Sequence, residues 1–491
     1  MKKLRASRFL LVLLVAFLPI IFYGCPNPTD ILTERVSNPT DNIQSVIAES
    51  FAPNETWTFM IYLDGDNNLE DAVIDDFNEM VAGLNNLNNP NIKVIVLLDR
   101  ISGYNSTEFL GEVEDWHGAR VYEINQTNSY TKKTDAWFVD GDERNMGDPI
   151  TLNSFIEYCK TNYTSNHYAL VLWNHGGGAR SKDVTLSTSS SLTKAVCWDD
   201  TDDEDCLYLD EVQQALVSMF NSSNKLDFIG FDACLMGTVE VAYEFRDLAL
   251  VMAASMASEQ GDGWDYNALF SNMQSGINND PKELGKLVVK TYSEFISSYY
   301  YNQTQSAIDL LQISNLKTKI DQLAVSIYQE NKKTSFEKTR DLSYHFYSTD
   351  DDSISLPYFD LNDLCYQIIN NNLIYSSNII AKCQEVINSL SNAIIAAYAG
   401  EYYGNYYGLG STIKRGLSIF VSRGDIIYNS CSHYAYQWWY TDVDTDQWWP
   451  GGHYYGLIDF AQSDDDGDVE YWRELFEYWY DNGTTYTPSS Y

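Results

Sequence analysis

The chain has 491 residues, which is long enough to bury a large hydrophobic core. It carries 69 acidic against 31 basic residues, giving a net charge of −38 at pH 7. So acidic a chain would repel the phosphates of nucleic acid, so the charge argues against a nucleic-acid partner. It fits an exposed protein whose substrates could be cationic. The simplest cause of the negative charge is a solvated acidic surface.

The first 24 residues have the layout of a signal peptide. Four basic residues precede an uncharged apolar run that begins at Phe9, and such a segment is excluded from the fold. The run ends in FYGC, in which Gly24 precedes Cys25, and this resembles a bacterial lipoprotein cleavage site. The sequence therefore predicts an exported protein with a lipid on Cys25 and a polar tether over 25–55. Without the lipid, the protein would be secreted.

The chain has eight cysteines. If Cys25 carries the lipid and Cys234 is reserved for chemistry, an even number remains, which fits disulfides in an exported protein. Cys197 and Cys206 flank an acidic loop, and we predict that they could form a bridge. A zinc site is disfavoured because the sequence has no Cys-x-x-Cys pair.

Apolar runs bounded by turn residues predict the strands. Several of these runs are apolar at consecutive positions, as in a sheet that is covered by helices on both faces. The predicted strands are Trp57–Leu63, Ile92–Leu98, Tyr168–Asn174, Leu226–Asp232, Leu248–Ser255, Ser306–Ile313 and Leu417–Ser422.

Helical periodicity lies between these runs. Val73, Phe77 and Met80 fall along one helical face, and Asp280 and Pro281 stand at cap positions of a later helix. Strands that alternate with helices predict an α/β fold with a mostly parallel central sheet and helices on both faces. In such sheets, functional sites gather at the carboxyl ends of the strands.

The chain is crowded with aromatic residues from about Gly424 onwards. Aromatic platforms suit sugars, so one interpretation is a carbohydrate-binding addition. The other is that these residues pack the end of the same domain. The second is favoured, because residues 469–480 have the pattern of a closing amphipathic helix.

Two residues that could perform chemistry follow two predicted strands. His175 comes directly after Tyr168–Asn174, and Cys234 closely follows Leu226–Asp232. Adjacent parallel strands would bring both side chains to one edge of the sheet. A thiol is a weak nucleophile until a neighbouring imidazole deprotonates it, so the pair predicts acyl transfer. Either residue alone would more often be structural.

Acyl transfer also needs hydrogen-bond donors for the developing oxyanion. In the stretch HGGG, Gly176 offers a backbone N–H with no side chain in the way. The amide of Cys234 is the second predicted donor. The residues after the two strands therefore have assignable tasks in one reaction.

Six segments in order resemble the clostripain family of cysteine peptidases, which has the caspase-like fold. They are WTFMIYLDGDNNLE, LVLWNHGGG, DFIGFDACLMGTVEVAYEFRD, SEQGDGWDY, AIDL and GLSIFVS. The QAC block of caspases themselves is absent. We therefore expect one peptidase domain over 56–482, followed by a short tail over 483–491.

The resemblance implies an endopeptidase that cleaves after Arg or, less often, Lys. By position, His175 matches the family's base and Cys234 its nucleophile, and a Cys-His dyad would suffice. Asp232 matches an acidic position tied to the specificity, and Asp262 is a second candidate for the pocket, although either could be a turn or cap residue. Strand alternation puts Asp232 and Cys234 on one side of the chain. The carboxylate should then raise the thiol pKa until a substrate cation neutralises it.

Family members are often cut between the histidine and the cysteine, which gives two associated and active chains. Here that segment is rich in Ser and Thr, and it offers Arg180, Lys182 and Lys194 as self-cleavage sites of the expected type. These basic residues could also be incidental in a flexible loop. The expected form is a monomer or a self-cleaved two-chain protein that acts on proteins or peptides with basic residues.

Some family members need calcium, although the cysteine chemistry itself requires no cofactor. Acidic clusters occur at 64–68, 198–205 and 464–468, but none has EF-hand spacing, since Leu69 stands where the first would need glycine. The first cluster is predicted to end a strand and cap the next helix. Calcium is therefore a possible cofactor with no ligand residue assigned.

Two alternatives to a peptidase specific for basic residues remain open. One is a non-enzymatic surface lipoprotein that binds peptide or glycan through the aromatic C-terminal region, and its binding would survive loss of Cys234. The other is a caspase-like peptidase of different specificity, which profiling of a peptide library would identify.

Overall fold

A computed structural model describes residues 55–87, 89–105, 116–179, 196–273, 280–297, 302–346, 358–400, 416–421, 458–461 and 470–480. Several predictions fall outside these ranges. They concern the signal peptide, the lipid on Cys25, the tether up to 54, the possible cleavage sites Arg180, Lys182 and Lys194, and the tail.

The described residues form fourteen strands. They are β1 (Trp57–Gly65), β2 (Ile92–Arg100), β3 (Arg120–Asn125), β4 (Ser129–Lys133), β5 (His167–Trp173), β6 (Val196–Asp199), β7 (Asp205–Leu207), β8 (Leu226–Asp232), β9 (Ala249–Ala254), β10 (Thr304–Asp309), β11 (His345–Phe346), β12 (Tyr358–Asp360), β13 (Ile394–Ala399) and β14 (Ser418–Phe420).

Nine of the described strands form one sheet, in the order β13-β10-β9-β8-β5-β1-β2-β3-β4. The five central strands, from β9 to β2, pair in parallel. The strands at both edges pair antiparallel. The predicted mostly parallel sheet is therefore confirmed in its centre, and β3, β4 and β13 extend it beyond the predicted strands.

Eleven α-helices are described. They are α1 (Glu70–Leu87), α2 (Pro149–Asn162), α3 (Leu209–Val217), α4 (Val239–Glu244), α5 (Tyr266–Asn272), α6 (Pro281–Ile296), α7 (Ile313–Gln329), α8 (Lys333–Arg340), α9 (Leu361–Asn370), α10 (Ser377–Ala393) and α11 (Tyr471–Tyr480). The predicted cap of α6 is confirmed, because the side chain of Asp280 accepts a hydrogen bond from the backbone N–H of Lys282 and Pro281 occupies the first turn.

The core lies on both faces of the sheet, because alternate residues of the central strands point in opposite directions. Met60 and Tyr62 of β1 belong to the larger apolar cluster, which includes residues of α2, α3 and α7. Phe59 and Ile61 belong to the second cluster, which includes residues of α1, α5 and α6. Burial of each large apolar side chain contributes about 1.5–3 kcal/mol. The predicted helices on both faces are confirmed.

Two predicted strands differ from the structure. The run Ser306–Ile313 leaves the sheet after Asp309, whose side chain accepts a hydrogen bond from the N–H of Leu311 and begins a 3₁₀ turn that leads into α7. The run Leu417–Ser422 does contain a strand, β14. That strand lies in a separate sheet of three strands with β11 and β12.

The predicted bridge between Cys197 and Cys206 is wrong. Both residues are buried free thiols. Although β6 and β7 are antiparallel, Cys206 pairs with Trp198, and the register shifts between Val196 and Trp198. Cys197 therefore falls out of the pairing, with a φ of 56°.

The closing helix α11 packs into the domain. Trp472, Phe476 and Trp479 are buried, and Trp472 Nε1 donates a hydrogen bond to the carbonyl of Phe420 at 2.9 Å. These contacts favour the packing interpretation for this part of the aromatic region; residues 424–457 lie outside the described ranges. Within the part of the chain that is described, no helix combines the length and apolarity needed to cross a bilayer.

Candidate active site

The two candidate catalytic residues lie side by side at the carboxyl edge of the sheet. β5 and β8 are adjacent and parallel, and their last paired residues are Trp173 and Asp232. His175 and Cys234 each follow two residues later and line the same open cleft, which has about 390 Å³ of empty space. The prediction that these two strands are adjacent and parallel is therefore confirmed.

His175 is held by two residues from other segments. Its Nε2 lies 2.8 Å from Oδ1 of Asn68, in the turn after β1. Its ring packs against Trp198 of β6, with centroids 5.1 Å apart. If Asn68 accepts the Nε2 proton, the other ring nitrogen is the basic one, so this contact selects the tautomer. The sequence did not identify Asn68 as a site residue, although it lies in the turn that follows a strand adjacent to β5.

Cys234 is half-buried beside a backbone amide. Its Sγ accepts a hydrogen bond from the N–H of Glu259 at 3.2 Å. Burial raises the pKa of the thiol, Asp232 raises it further, and the Glu259 N–H opposes both effects. Burial is thus the largest cause of the raised thiol pKa, and the neighbouring carboxylate adds to it, in the direction that the sequence predicts.

Gly176 packs directly against the backbone of Cys234. A Cβ at position 176 would lie 2.1 Å from the carbonyl oxygen of Cys234 and 2.9 Å from its nitrogen. Only glycine allows this approach. The predicted oxyanion donors, the amides of Gly176 and Cys234, thus belong to two backbone segments in close contact.

Asp232 is buried at the wall of the cleft. Its Oδ2 accepts hydrogen bonds from the N–H of Trp264 at 3.1 Å and from the hydroxyl of Tyr266 at 2.9 Å. Burial raises the pKa of Asp232 to about 7. The carboxyl group lines the cleft together with Cys234, as strand alternation predicted.

Glu259 is a second carboxyl group in the cleft that the sequence did not single out. Its Oε1 accepts a hydrogen bond from Gln305 Nε2 at 3.0 Å. Burial and the nearby Asp232 raise the pKa of Glu259 well above its ordinary value. The sequence identified the surrounding loop, but the choice of residue within it required the fold.

Asp262 does not reach the cleft. It is exposed and is not among the residues that line the cleft, whereas Glu259 and Gly263 are. Gly263 has a φ of 53°, and a Cβ there would lie 3.0 Å from Asp232 Oδ2. The loop thus brings its backbone, and not Asp262, against the buried carboxyl group.

A third carboxyl group lies behind Asp232. Asp76 of α1 accepts a hydrogen bond from Trp173 Nε1 at 2.6 Å. Burial, and then Asp232, raise its pKa well above the ordinary value. The Cys234 thiol therefore lies close to a cluster of acidic side chains. Such a cluster favours the binding of a cationic ligand.

A thiol and an imidazole at the ends of neighbouring parallel strands, with helices on both faces of the sheet, define a cysteine peptidase of caspase-like fold. The chain belongs to the clostripain family, whose family model matches residues 61–472. It is 33% identical over 505 aligned positions to clostripain from Hathewaya histolytica, with 92% of each chain covered. The protein is thus a cysteine-type endopeptidase with peptide or protein substrates.

Solved structures of the same fold include two bacterial proteases. One is a secreted C11 cysteine protease from Bacteroides thetaiotaomicron in complex with an irreversible peptide inhibitor, with a TM-score of 0.55, 16% identity, and coverage of 79% of this chain and 97% of that chain. The other is an inactive zymogen C11 protease from Parabacteroides distasonis, with a TM-score of 0.52, 19% identity, and coverage of 76% and 93%.

Proposed function

We propose that this protein is an exported endopeptidase that cleaves peptide bonds after Arg or Lys, with Cys234 as nucleophile and His175 as base. The relative with 33% identity is clostripain. The segments LVLWNHGGG and DFIGFDACLMGTVEVAYEFRD, which contain the two residues, resemble the family's motifs. The proposed specificity rests on two carboxyl groups, the buried Asp232 and the half-buried Glu259, in the cleft that also holds Cys234.

The reaction follows from these groups. His175 takes the thiol proton, and Cys234 Sγ attacks the carbonyl carbon of the scissile bond. The amides of Gly176 and Cys234 stabilise the oxyanion. His175 then gives the proton to the leaving amine, and water hydrolyses the thioester that remains, which returns the free thiol.

A cationic substrate side chain would also help to activate the thiol. Asp232 disfavours the thiolate of Cys234, because two negative charges in a buried site repel each other. A guanidinium or ammonium group beside Asp232 and Glu259 would cancel that repulsion. Binding of the correct substrate and ionisation of the nucleophile are therefore coupled.

Self-cleavage between His175 and Cys234 is the proposed route of activation. Both ends of the segment 180–195 are anchored: the N–H of Ala179 donates a hydrogen bond to Tyr358 Oη at 3.0 Å, and Val196 bridges to Gly176. A cut within the segment would leave both new ends attached to the domain. One relative of this fold is described as an inactive zymogen.

Export rests on the first 24 residues, and the lipid on Cys25 is part of the same proposal. A relative of this fold is described as secreted. The mature protein would act at the cell envelope, or outside the cell if Cys25 carries no lipid.

The experiment is a comparison of peptide substrates that differ only in the residue before the scissile bond. Arg and Lys substrates should be hydrolysed, and Ala, Asp and Asn substrates should not. Cys234→Ala should abolish all hydrolysis. Equal rates on all substrates, or full activity of Cys234→Ala, would refute the proposal, and a preference for Asn or Asp would support the alternative caspase-like specificity.

A further inference from the structure

A tyrosine outside the cleft contacts the glycine-rich loop that follows His175. Tyr358 of β12 is fully buried and does not line the cleft. Its hydroxyl accepts a hydrogen bond from the N–H of Ala179 at 3.0 Å and donates a longer one, of 3.4 Å, to the carbonyl of Gly177. One hydroxyl group therefore binds the backbone on both sides of Gly178.

The loop is shaped around this hydroxyl group. Gly178 has a φ of 81°, and a Cβ at this position would lie 2.4 Å from Oη of Tyr358 and 2.6 Å from its Cζ. Both the backbone conformation and the close approach require glycine. The backbone of the loop thus packs directly on the Tyr358 side chain.

The loop needs such an anchor because of its composition. Gly176, Gly177 and Gly178 follow one another, and glycine loses more conformational freedom on folding than any other residue. Ala179 is buried, so the loss of the Tyr358 hydroxyl would take a hydrogen-bond partner from a buried N–H. The direction of the Gly176 amide therefore depends on how the following residues are held.

Tyr358 is in turn fixed relative to the loop that follows Cys234. Its strand β12 pairs with β14, which contains Ser418. The N–H and the hydroxyl of Ser418 both donate to the carbonyl of Gly237, at 3.0 and 3.2 Å, and Gly237 closely follows Cys234. The small sheet thus holds the loop after His175 through β12 and the loop after Cys234 through β14.

We propose that Tyr358 is a positioning residue for the oxyanion site, because it fixes the loop that carries the Gly176 amide. Its role rests on the proposed function, in which the amides of Gly176 and Cys234 stabilise the oxyanion. A hydrogen-bond donor stabilises the transition state best when its direction is set before the reaction. The Tyr358 hydroxyl therefore contributes to kcat without touching the substrate, whose cation would bind elsewhere, beside Asp232 and Glu259.

The test compares Tyr358→Phe with the parent chain on the Arg substrate, after incubation until the chain pattern no longer changes. We expect kcat to fall about tenfold, less than the 10²–10³-fold that removal of a whole donor costs. The KM should stay within about twofold, because the oxyanion forms only along the reaction.

Alkylation of Cys234 by iodoacetamide provides a second readout, measured by mass spectrometry of the peptide that contains it. This reaction needs the thiolate but forms no oxyanion, so its rate should be the same in Tyr358→Phe and in the parent. The kcat is calculated per Cys234 that can be alkylated, so that a loss of folded enzyme does not lower it.

Tyr292→Phe is the matched control. Tyr292 of α6 is also buried, and its hydroxyl donates to Gln303 Oε1 at 3.2 Å, outside the cleft. This variant should lose a buried hydrogen bond and some stability, but it should keep the kcat of the parent. If Tyr358→Phe does not fold, Gly178→Ala tests the same contact from the loop, and it should lower kcat at an unchanged alkylation rate.

The outcomes separate this role from the proposed function. A kcat of Tyr358→Phe within about twofold of the parent, a parallel loss of kcat and alkylation rate, or an equal loss of kcat in Tyr292→Phe would overturn the role of Tyr358. In each of these cases the parent still cleaves the Arg substrate. A parent without activity on that substrate would overturn the proposed function, and the role of Tyr358 with it.

Discussion

Nε2 of His175 lies 2.8 Å from Oδ1 of Asn68, a residue in the turn that follows the neighbouring strand β1. The contact joins the proposed base to a residue 107 positions earlier in the chain. It sets the orientation of the imidazole, and it identifies Asn68 as a positioning residue.

Asn68→Ala should therefore lower kcat by about tenfold, less than the 10²–10⁴-fold that a general base contributes. Asn68→Asp supplies a second readout. A carboxylate beside the ring favours the imidazolium and raises the His175 pKa, so the acidic limb of the pH–rate profile should move to higher pH. A purely structural role of Asn68 would lower the activity of both variants without moving the limb.

Glu259 and Asp262 are competing candidates for the second acidic residue of the proposed specificity pocket. Glu259→Gln should reduce kcat/KM for Arg substrates by about 30-fold or more, because a half-buried partner of the substrate cation loses its charge. Asp262→Asn is the matched control, since Asp262 is exposed and outside the cleft. If Asp262→Asn reduces kcat/KM more than Glu259→Gln does, the assignment of Glu259 to the pocket is wrong.

Gly176 offers a steric test of the oxyanion donors. Gly176→Ala should reduce kcat by about 10²–10³-fold, because its Cβ would lie 2.1 Å from the carbonyl oxygen of Cys234 and push the two backbones apart. Gly261→Ala is the control in the same cleft, because a Cβ there would approach Leu69 Cδ2 no closer than 3.9 Å. Gly261→Ala should retain activity. Comparable losses in the two variants would show that Gly176 has no special role.

Asp232 should make stability depend on pH. Its folded pKa of about 7 lies above the unfolded value near 4, so the folded state binds the proton more tightly. The stability that this contributes is fully present below about pH 4 and is lost as the pH rises through about 7. Urea unfolding of Cys234→Ala at a series of pH values gives the slope of the free energy of unfolding against pH. Asp232→Asn should reduce that slope by up to about 1.4 kcal/mol per pH unit between these values. Identical slopes with and without Asp232→Asn would contradict the raised pKa.

The central strands could be predicted because their local patterns are unambiguous. β1, β5 and β8 are nearly continuous apolar runs, and His175 and Cys234 follow two of them directly. The edge strands β3 and β4 were missed, because their partly exposed polar residues lack that signal.

The missed site residues depend on contacts between segments that are far apart in the chain. Asn68 reaches His175, and Glu259 reaches Asp232, only once the strand order is known. The acidic stretches at 64–68 and 198–205 each lack EF-hand spacing. The fold joins them through hydrogen bonds from the N–H and hydroxyl of Thr201 to Asp66, and no local pattern encodes this pairing.

Self-cleavage within 180–195 should leave two associated fragments, because the residues on both sides of this segment are bonded to the domain. The purified wild-type chain should convert to two fragments that separate only under denaturing conditions, and Cys234→Ala should remain one chain. Mass spectrometry of the fragments should place the cut after Arg180, Lys182 or Lys194, and replacement of all three by Gln should prevent it and leave the enzyme in its low-activity form. A triple variant that is as active as the cleaved wild type would show that the cut is not needed, because the sheet already brings His175 and Cys234 together in the intact chain.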